Sequence, residues 1–125
     1  MIGGQLNATW VMDAYRQGIF PWPLVDGDTE ILAWFCPDPR AVIELDELHV
    51  SRRLARRIRS GQFQVTCDTC FDGVIRGCAG PRRHESLTWI TPQMVQVYAQ
   101  LHRLGHAHSI EVWSGDEIVG GVYGI

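Results

Sequence analysis

The last twenty residues of the chain carry a hydrophobic pattern that predicts a β-hairpin. Polar and apolar positions alternate after residue 107. The pattern places Ile110 and Val112 on one face, which we expect to pack against the core. It places Ser109, Glu111 and Trp113 on the opposite face. A Ser-Gly-Asp sequence follows and supplies the turn, because glycine readily adopts a positive φ.

Apolar residues spaced three and four apart predict four helices upstream of this hairpin. Three of them begin at a residue that caps helix N-termini well, and all four end at a glycine. In the second helix, Leu54 and Ile58 form one thin apolar stripe, which we expect to pack down. The four helices run from Asn7 to Gly18, from Ser51 to Gly61, from about Thr69 to Gly80 and from Thr91 to Gly105.

Shorter apolar or alternating runs predict three more strands, at 31–35, 41–45 and 62–67. In the last of these strands, Phe63, Val65 and Cys67 share the face that we expect to point inward. Polar sequences predict a turn at 26–28 and a loop at 82–87.

From Gln62 onward the predicted order is strand, helix, helix, strand, strand, which indicates an α+β fold. We therefore divide the chain near this residue. The N-terminal domain covers 1–61 and the second α+β unit covers 62–125.

Two tryptophans stand apart from the predicted core rows. Trp113 lies on the polar face of its strand, near a glycine pair at 120–121 that leaves the strand bare. Trp22 lies between two prolines, in a segment too stiff for a helix or a central strand. Trp113 either lines a pocket or packs under a helix at a β-bulge. The Trp22 segment is buried either by the core or by a ligand.

Basic charge is concentrated in one predicted helix, although the chain as a whole is acidic. The net charge is −3, all eleven basic residues are arginine, and five of them fall within 52–59. The overall charge therefore gives no indication of nucleic-acid binding. The arginine helix is either a solvated face balanced by Asp46 and Glu47 or a face that follows a nucleic-acid phosphate backbone.

Cys67 and Cys70 form a Cys-x-x-Cys pair where a predicted strand meets a helix. The pair suits thiol–disulfide exchange, because a helix N-terminus lowers a thiol pKa, or it forms half of a zinc site. A zinc site would need ligands from His102, His106 and His108. We favour the third interpretation, in which both cysteines are small apolar residues at the ends of core elements.

The sequence has no apolar run long enough to span a membrane, and its N-terminus lacks the layout of a signal peptide. We therefore expect a cytoplasmic protein in which the four cysteines are thiols.

Six motifs follow one another in a fixed order along the chain. They are YRQGIFPW at 15–22, PDPR at 37–40, LHVSR at 48–52, TWITP at 88–92, LHRLGHAHSIEVW at 101–113 and VGGVYG at 119–124. Together they closely resemble the leucyl/phenylalanyl-tRNA–protein transferase family, the bacterial N-degron enzymes. The resemblance runs from about Gly3 to Ile125.

The resemblance implies an enzyme that transfers Leu or Phe, and Met less well, from aminoacyl-tRNA. The acceptor is the N-terminal Arg or Lys of a protein, which is thereby marked for degradation. The resemblance implies no metal or nucleotide cofactor. It also implies a small N-terminal domain followed by a GNAT-like acyltransferase domain, which begins with the element order found after Gln62.

The same resemblance implies roles for individual residues. Trp22 and Trp113, together with Tyr15, are expected to line the pocket for the aminoacyl-adenosine end of the tRNA. The Cys-x-x-Cys pair falls where the family has small or apolar residues, which further disfavours metal or redox work. The residues expected to contact the acceptor-stem phosphates are Arg52, Arg53, Arg56 and Arg57.

Members of the family continue past the position of Gly124 into a Gly-Glu-Ser-Met-Phe-Ser motif and the rest of the acyltransferase domain. We therefore expect the catalytic residues downstream of Ile125 and a 125-residue chain that is incomplete and inactive alone. The alternative is a non-catalytic remnant that binds tRNA.

Overall fold

The computed structural model of the chain describes residues 1–26, 29–81 and 88–125. Its helices are α1 (Ala8–Arg16), α2 (Arg52–Arg59), α3 (Phe71–Ala79) and α4 (Pro92–Arg103). Its strands are β1 (Phe20–Pro21), β2 (Leu24–Asp26), β3 (Thr29–Ile31), β4 (Trp34–Phe35), β5 (Gln64–Cys67), β6 (His108–Ser114) and β7 (Glu117–Gly124).

These elements confirm the α+β fold class and the order strand, helix, helix, strand, strand after Gln62. Residues 27–28 of the predicted turn and the whole predicted loop at 82–87 lie outside the described residues. Within the described ranges, no helix is long and apolar enough to cross a membrane.

Side-chain caps start three of the four described helices, as their sequences predict. The Asn7 carboxamide oxygen accepts the backbone N–H of Trp10 at 3.0 Å, which begins α1. Ser51 caps α2 and Thr91 caps α4 in the same way. Helix α2 ends before Gly61, whose φ of 67° continues no right-handed helix. The cap residues and the terminal glycines therefore fix the helix boundaries locally.

The strands after residue 62 form one antiparallel sheet in the order β5-β6-β7. One cross-strand row joins Thr66, Glu111 and Gly121, and the neighbouring row joins Cys67, Ile110 and Val122. The register shifts between Val112 and Trp113, which confirms an irregularity of the β-bulge kind at the tryptophan. Two short two-stranded sheets, β1–β4 and β2–β3, precede this sheet in the chain.

The buried face of the sheet is opposite to the one predicted from hydrophobicity. Glu111 is 0% exposed and Ser109 is also buried, whereas Ile110 is 39% exposed and Val65 is 63% exposed. The prediction of an inward Ile110/Val112 face and an inward Val65/Cys67 face is therefore wrong. Helix α3 packs on the face that carries Glu111.

The close approach of α3 to the sheet depends on Gly121. A Cβ atom at Gly121 would lie 2.9 Å from Cγ2 of Val74 and 3.0 Å from the carbonyl oxygen of Ile110. The glycine thus admits the helix to this face. Alternation in β6 predicts a two-faced strand correctly, but the choice of face is made by α3.

One hydrophobic cluster joins the N-terminal segment to the later helices. Helix α1 packs against α4, and the Tyr15 and Tyr98 hydroxyl groups are hydrogen-bonded at 2.9 Å. The boundary at 61/62 stays a prediction, although residues on both sides of it share this core. The cluster consists of Leu6, Ala8, Val11, Trp34, Phe71, Ile75, Ile90, Met94, Val97, Tyr98, Leu101 and Ala107.

The predicted strand at 41–45 is absent, because residues 41–50 have an irregular backbone and are exposed. No described strand pairs with this run, and an unpaired apolar run forms no ladder.

Helix α2 has no buried residue, and Ile58 is 65% exposed. The expectation that Leu54 and Ile58 pack down is therefore wrong for the part of the chain that the structure describes.

Candidate functional site

The Trp113 side chain lies on the covered face of the sheet and is anchored by a hydrogen bond. It is half-buried and follows Glu111 by two positions, beyond the register shift. Its indole Nε1–H donates to Oγ1 of Thr66 at 2.8 Å. Thr66 lies on β5, where Gln64 pairs with Trp113 and Thr66 pairs with Glu111. The pairing register of β5 and β6 therefore brings Thr66, Glu111 and Trp113 together.

Glu111 is a buried carboxylate whose two oxygens accept four hydrogen bonds. The hydroxyl groups of Thr66 and Thr69 donate to Oε2 at 2.5 and 2.9 Å. The Ser109 hydroxyl and the Cys70 backbone N–H donate to Oε1 at 2.5 and 3.3 Å. Burial by itself raises the pKa of Glu111, but these four donors outweigh it and lower the pKa to about 2. Glu111 is therefore a charged group in the interior.

The sequence pattern predicted no role for Glu111 or for its threonine partners. The available signal was a carboxylate at an alternate position of an apolar strand, on the same side as Trp113. Hydrophobicity assigned that side to solvent.

Asp68 organises a second polar cluster at the end of β5. Its backbone adopts a φ of 57°, its Oδ1 accepts the Ser109 N–H at 2.8 Å, and its Oδ2 lies 2.7 Å from Nδ1 of His108. The hydrogen bond from His108 is the largest cause that lowers the pKa of Asp68. Nδ1 of His102 lies 2.8 Å from the Ala107 carbonyl oxygen and 3.7 Å from Oδ1 of Asp68, so His102 borders the same cluster.

The two cysteines of the Cys-x-x-Cys pair are free thiols. Partial desolvation, and then the carboxylates of Asp68 and Glu111, raise the pKa of Cys67. Thiol–disulfide exchange needs a lowered pKa, so this environment disfavours that chemistry at Cys67. Over residues 1–26, 29–81 and 88–125, no group of three or more His, Cys, Asp or Glu side chains is arranged to hold a metal ion.

Trp22 is held by its backbone and stacked on a second indole. Its N–H donates to the Ala33 carbonyl oxygen at 2.8 Å, and its side chain is 38% exposed. The Trp22 and Trp89 rings are stacked with centroids 4.4 Å apart and an interplanar angle of 13°. The Phe20 and Trp22 rings are in an edge-to-face arrangement with centroids 6.3 Å apart. Trp89 was missed from the sequence because nothing in its local pattern distinguishes it from a core aromatic.

The structure does not join the three residues predicted to form one pocket. Within the described residues, no ring contact or hydrogen bond links Trp22 to Trp113. Tyr15 bonds to Tyr98 instead, and burial raises the pKa of Tyr15. A shared pocket for Trp22, Trp113 and Tyr15 therefore stays a prediction.

The glycine pair at 120–121 borders a groove that does not include Trp113. The groove has a volume of about 320 Å³ and lies between α3 and β7. Gly73 and Gly77 of α3 line its other side. The glycine pair at 120–121 therefore faces α3 rather than the Trp113 indole.

The arginine helix projects its charges into solvent. Among the described residues, none of its arginines forms an ion pair, and Asp46 and Glu47 do not balance them. Arg57 lies with its Cζ 5.7 Å from the Phe63 ring centroid. An open concavity of about 370 Å³ is lined by polar and cationic side chains only, which are Arg53, Arg56, Arg57, Ser60 and Gln62.

Comparison with known proteins places these features in a family. The family model of the leucyl/phenylalanyl-tRNA protein transferase matches residues 42–125, and the model of that family's N-terminal domain matches residues 4–38. The chain belongs to this family. The transferase-family match includes α2, the β5-β6-β7 sheet and Trp113, and the N-terminal match includes Tyr15 and Trp22.

Individual relatives carry the same description. A leucyl/phenylalanyl-tRNA–protein transferase of Solidesulfovibrio magneticus is 51% identical over 99% of this chain and 49% of its own length. One of Pseudomonas syringae pv. syringae is 50% identical over 98% of this chain and 52% of its own length. One of Anaeromyxobacter sp. is 50% identical over 99% of this chain and 52% of its own length. The chain thus spans about half the length of these relatives, which are named as enzymes.

Proposed function

We propose that this chain is the aminoacyl-tRNA-binding part of an aminoacyltransferase. The reaction moves Leu or Phe, and Met less well, from aminoacyl-tRNA to the N-terminal Arg or Lys of an acceptor protein in the N-degron pathway. The observation that carries the proposal is the transferase-family match over 42–125, supported by relatives about 50% identical.

The proposed pocket for the aminoacyl-adenosine end uses Trp22, Trp113 and Tyr15. Base rings stack well on indoles without sequence preference. One face of Trp22 is already covered by Trp89, so a bound ring would use the opposite face. The half-exposed Trp22 and the half-buried Trp113 each leave part of an indole for a ligand.

The proposed phosphate-binding surface is α2. Its arginines are exposed and lack carboxylate partners in the described part of the chain, so they keep their full attraction for an anion. We assign backbone contacts rather than base reading to them. The residues concerned are Arg52, Arg53, Arg56 and Arg57.

In the proposed reaction, the α-amine of the acceptor attacks the ester carbonyl at the tRNA 3′ end. A C–N bond forms, the C–O bond to the ribose breaks, and the amine proton leaves with the ribose hydroxyl. The ester is already activated, so positioning the two reactants supplies much of the rate. We place the catalytic residues outside residues 1–125, in a GNAT-like domain whose first elements are β5, α3, α4, β6 and β7.

The test is binding of Phe-tRNA by the 125-residue chain, followed by fluorescence anisotropy at several salt concentrations. We expect binding that weakens with salt. Changing the four arginines of α2 to alanine should reduce the slope of log K against log salt by about 3 to 4. Changing the same four to lysine is the matched control, because it keeps the charge and should retain most of the slope. Absence of binding at low salt would refute the proposal.

A second function, binding of tRNA without transfer, is favoured by the coverage of only about half of each relative. Incubating the purified chain with Phe-tRNA and an Arg-initiated peptide tests whether the 125-residue chain transfers an amino acid by itself. We expect binding without peptide-bond formation. Measurable transfer would show that the residues outside this chain are dispensable.

A further inference from the structure

The 41–59 segment, which ends with helix α2, exposes seven large aliphatic side chains. Leu45 is 101% exposed and Ile43 is 75% exposed. Single exposed aliphatic residues are ordinary on a protein surface, but a series of them along one segment marks a surface that another structure covers. The seven residues are Val42, Ile43, Leu45, Leu48, Val50, Leu54 and Ile58.

The described part of the chain does not hold this segment in place. In the irregular run at 41–50, the Glu47 N–H donates to the Glu44 carbonyl oxygen at 3.1 Å and closes a local turn. Helix α2 makes no extensive contact with another described helix or strand, and none of its residues is buried. The ring contact of Arg57 reaches only Phe63, a few residues further along the chain. The aliphatic side chains of the segment therefore have no core to pack on in the described residues.

The family comparison assigns the segment to the transferase region rather than to the N-terminal domain. The N-terminal model matches 4–38 and stops before the segment, whereas the transferase model matches 42–125 and begins with it. The β5-β6-β7 sheet lies in the same match, but α2 does not pack extensively on it. The chain spans only about half the length of its relatives. The other half of those relatives is the part of a transferase that is left to cover the segment.

We propose that the aliphatic side chains of the 41–59 segment form a docking surface for the remaining half of a leucyl/phenylalanyl-tRNA–protein transferase. The run at 41–45 gains from that half the strand partner that its sequence predicts. Leu54 and Ile58, which lie four residues apart on one side of α2, gain a surface to pack on. The inference depends on family membership and not on tRNA binding, so it can fail or succeed separately from the proposed function.

The charges of the segment argue against a lipid surface as the partner. A helix with aliphatic residues on one side and arginines on the others is typical of peptides that bind anionic membranes. The run before α2 adds three carboxylates, which anionic lipid would repel. A protein surface can match charges of both signs, so it fits the segment better. The three carboxylates belong to Glu44, Asp46 and Glu47.

The first test compares backbone hydrogen exchange by mass spectrometry in this chain and in the whole transferase of Solidesulfovibrio magneticus, which aligns with 99% of this chain. Both proteins are measured without tRNA. We expect the amides of 41–50 to exchange at least about tenfold more slowly in the longer protein, because pairing and burial protect them. The amides of β6 are the internal reference, since β6 is paired on both sides already in this chain. Fast exchange of the aligned segment in the longer protein, with β6 protected, would overturn the inference.

The second test places a charge in the proposed surface of both proteins. Leu48→Asp should lower the melting temperature of this chain by less than about 2 °C, because Leu48 is 63% exposed. Aspartate at the aligned position of the longer protein should lower its melting temperature by at least about 5 °C or prevent folding, because a buried unpaired charge is costly. The matched control is methionine at the same position, which keeps the site apolar and should stay within about 3 °C in both proteins. Equal effects of aspartate in the two proteins would contradict the proposal.

Two further measurements on this chain address the other occupants of such a surface. Sedimentation velocity detects a second copy, and co-sedimentation with vesicles of phosphatidylcholine and phosphatidylserine detects a membrane. We expect a monomer that does not bind the vesicles. Dimerisation or vesicle binding that Leu48→Asp abolishes would assign the surface to that occupant and overturn the inference.

Discussion

The two faces of the β5-β6-β7 sheet show that polarity and burial are separate properties. The covered face carries Thr66, Ser109 and Glu111, and α3 packs on it. The other face carries Val65 and Val122, which remain exposed. The covered face is stable because every oxygen of Glu111 has donors. The hydrogen bonds to Glu111, rather than apolar character at this position, therefore allow the face to be buried.

The largest expected effect is the removal of the buried carboxylate. Glu111→Ala leaves four donors without their acceptor and opens a cavity, which should lower the free energy of unfolding by about 3 kcal/mol. Urea denaturation followed by circular dichroism measures this change. The matched control is Glu117→Ala, an exposed carboxylate on β7, which should stay within about 0.5 kcal/mol. A loss below about 1 kcal/mol in Glu111→Ala would mean that the donors re-pair easily.

Acid should destabilise the covered face specifically. The folded-state pKa of Glu111 is about 2, below the usual value of 4.5, so its ionised form stabilises the fold above the unfolded-state pKa. That contribution should be lost progressively as the pH falls from about 5 to about 2. The lowered pKa of Asp68 acts in the same direction.

The measurement is the midpoint of urea unfolding between pH 2 and pH 6, for the original chain and for Glu111→Gln. The side chain at position 111 cannot ionise in Glu111→Gln, so the urea midpoint of this variant should vary less between pH 2 and pH 6. Parallel curves would show that Glu111 is not the group that titrates.

The next largest loss of stability is expected from a substitution at the close contact between α3 and the covered face. Gly121→Ala places a Cβ atom 2.9 Å from Val74 and 3.0 Å from a backbone oxygen, and should cost about 2 kcal/mol. The neighbouring Gly120→Ala is the control, because its Cβ meets only Val112 Cβ at 3.9 Å. Thermal unfolding of the two variants gives the comparison. Similar melting temperatures would indicate that α3 shifts to accommodate the methyl group.

The smallest effect is expected on the uncovered face. Val65→Thr and Val122→Thr keep the branched shape and change only exposed positions, so each should alter the free energy of unfolding by less than about 0.5 kcal/mol. Urea denaturation of both variants tests this. A loss above about 2 kcal/mol would show that this face is covered in solution, for example by a second copy of the chain.

The local features of the fold follow from sequence because their causes are local. The caps at Asn7, Ser51 and Thr91 lie within a few residues of the groups they bond. The hairpin and its glycine turn are equally local. The strand predicted at 41–45 failed because a strand needs a partner, and pairing is not a local property.

The candidate site likewise contains residues that the sequence predicted and residues that it did not. Sequence resemblance selected Trp22, Trp113 and the arginine helix, and the family comparison supports the resemblance that selected them. It included Trp89 in the TWITP motif but gave it no role, although Trp89 stacks on Trp22 from a distant part of the chain. It also passed over Thr66 and Glu111, because the bonds that join them to Trp113 cross between strands.

By itself the sequence determined the four helices, the order of elements after Gln62 and membership in a transferase family. Those properties depend on residue spacing, capping and motif order, which are written along the chain. Only the tertiary structure decided that the face with Glu111 is buried, because that depends on where α3 packs and on whether four donors reach one carboxylate. The alternation of polar and apolar residues along a strand identifies its two faces, but it does not determine which face a helix will cover.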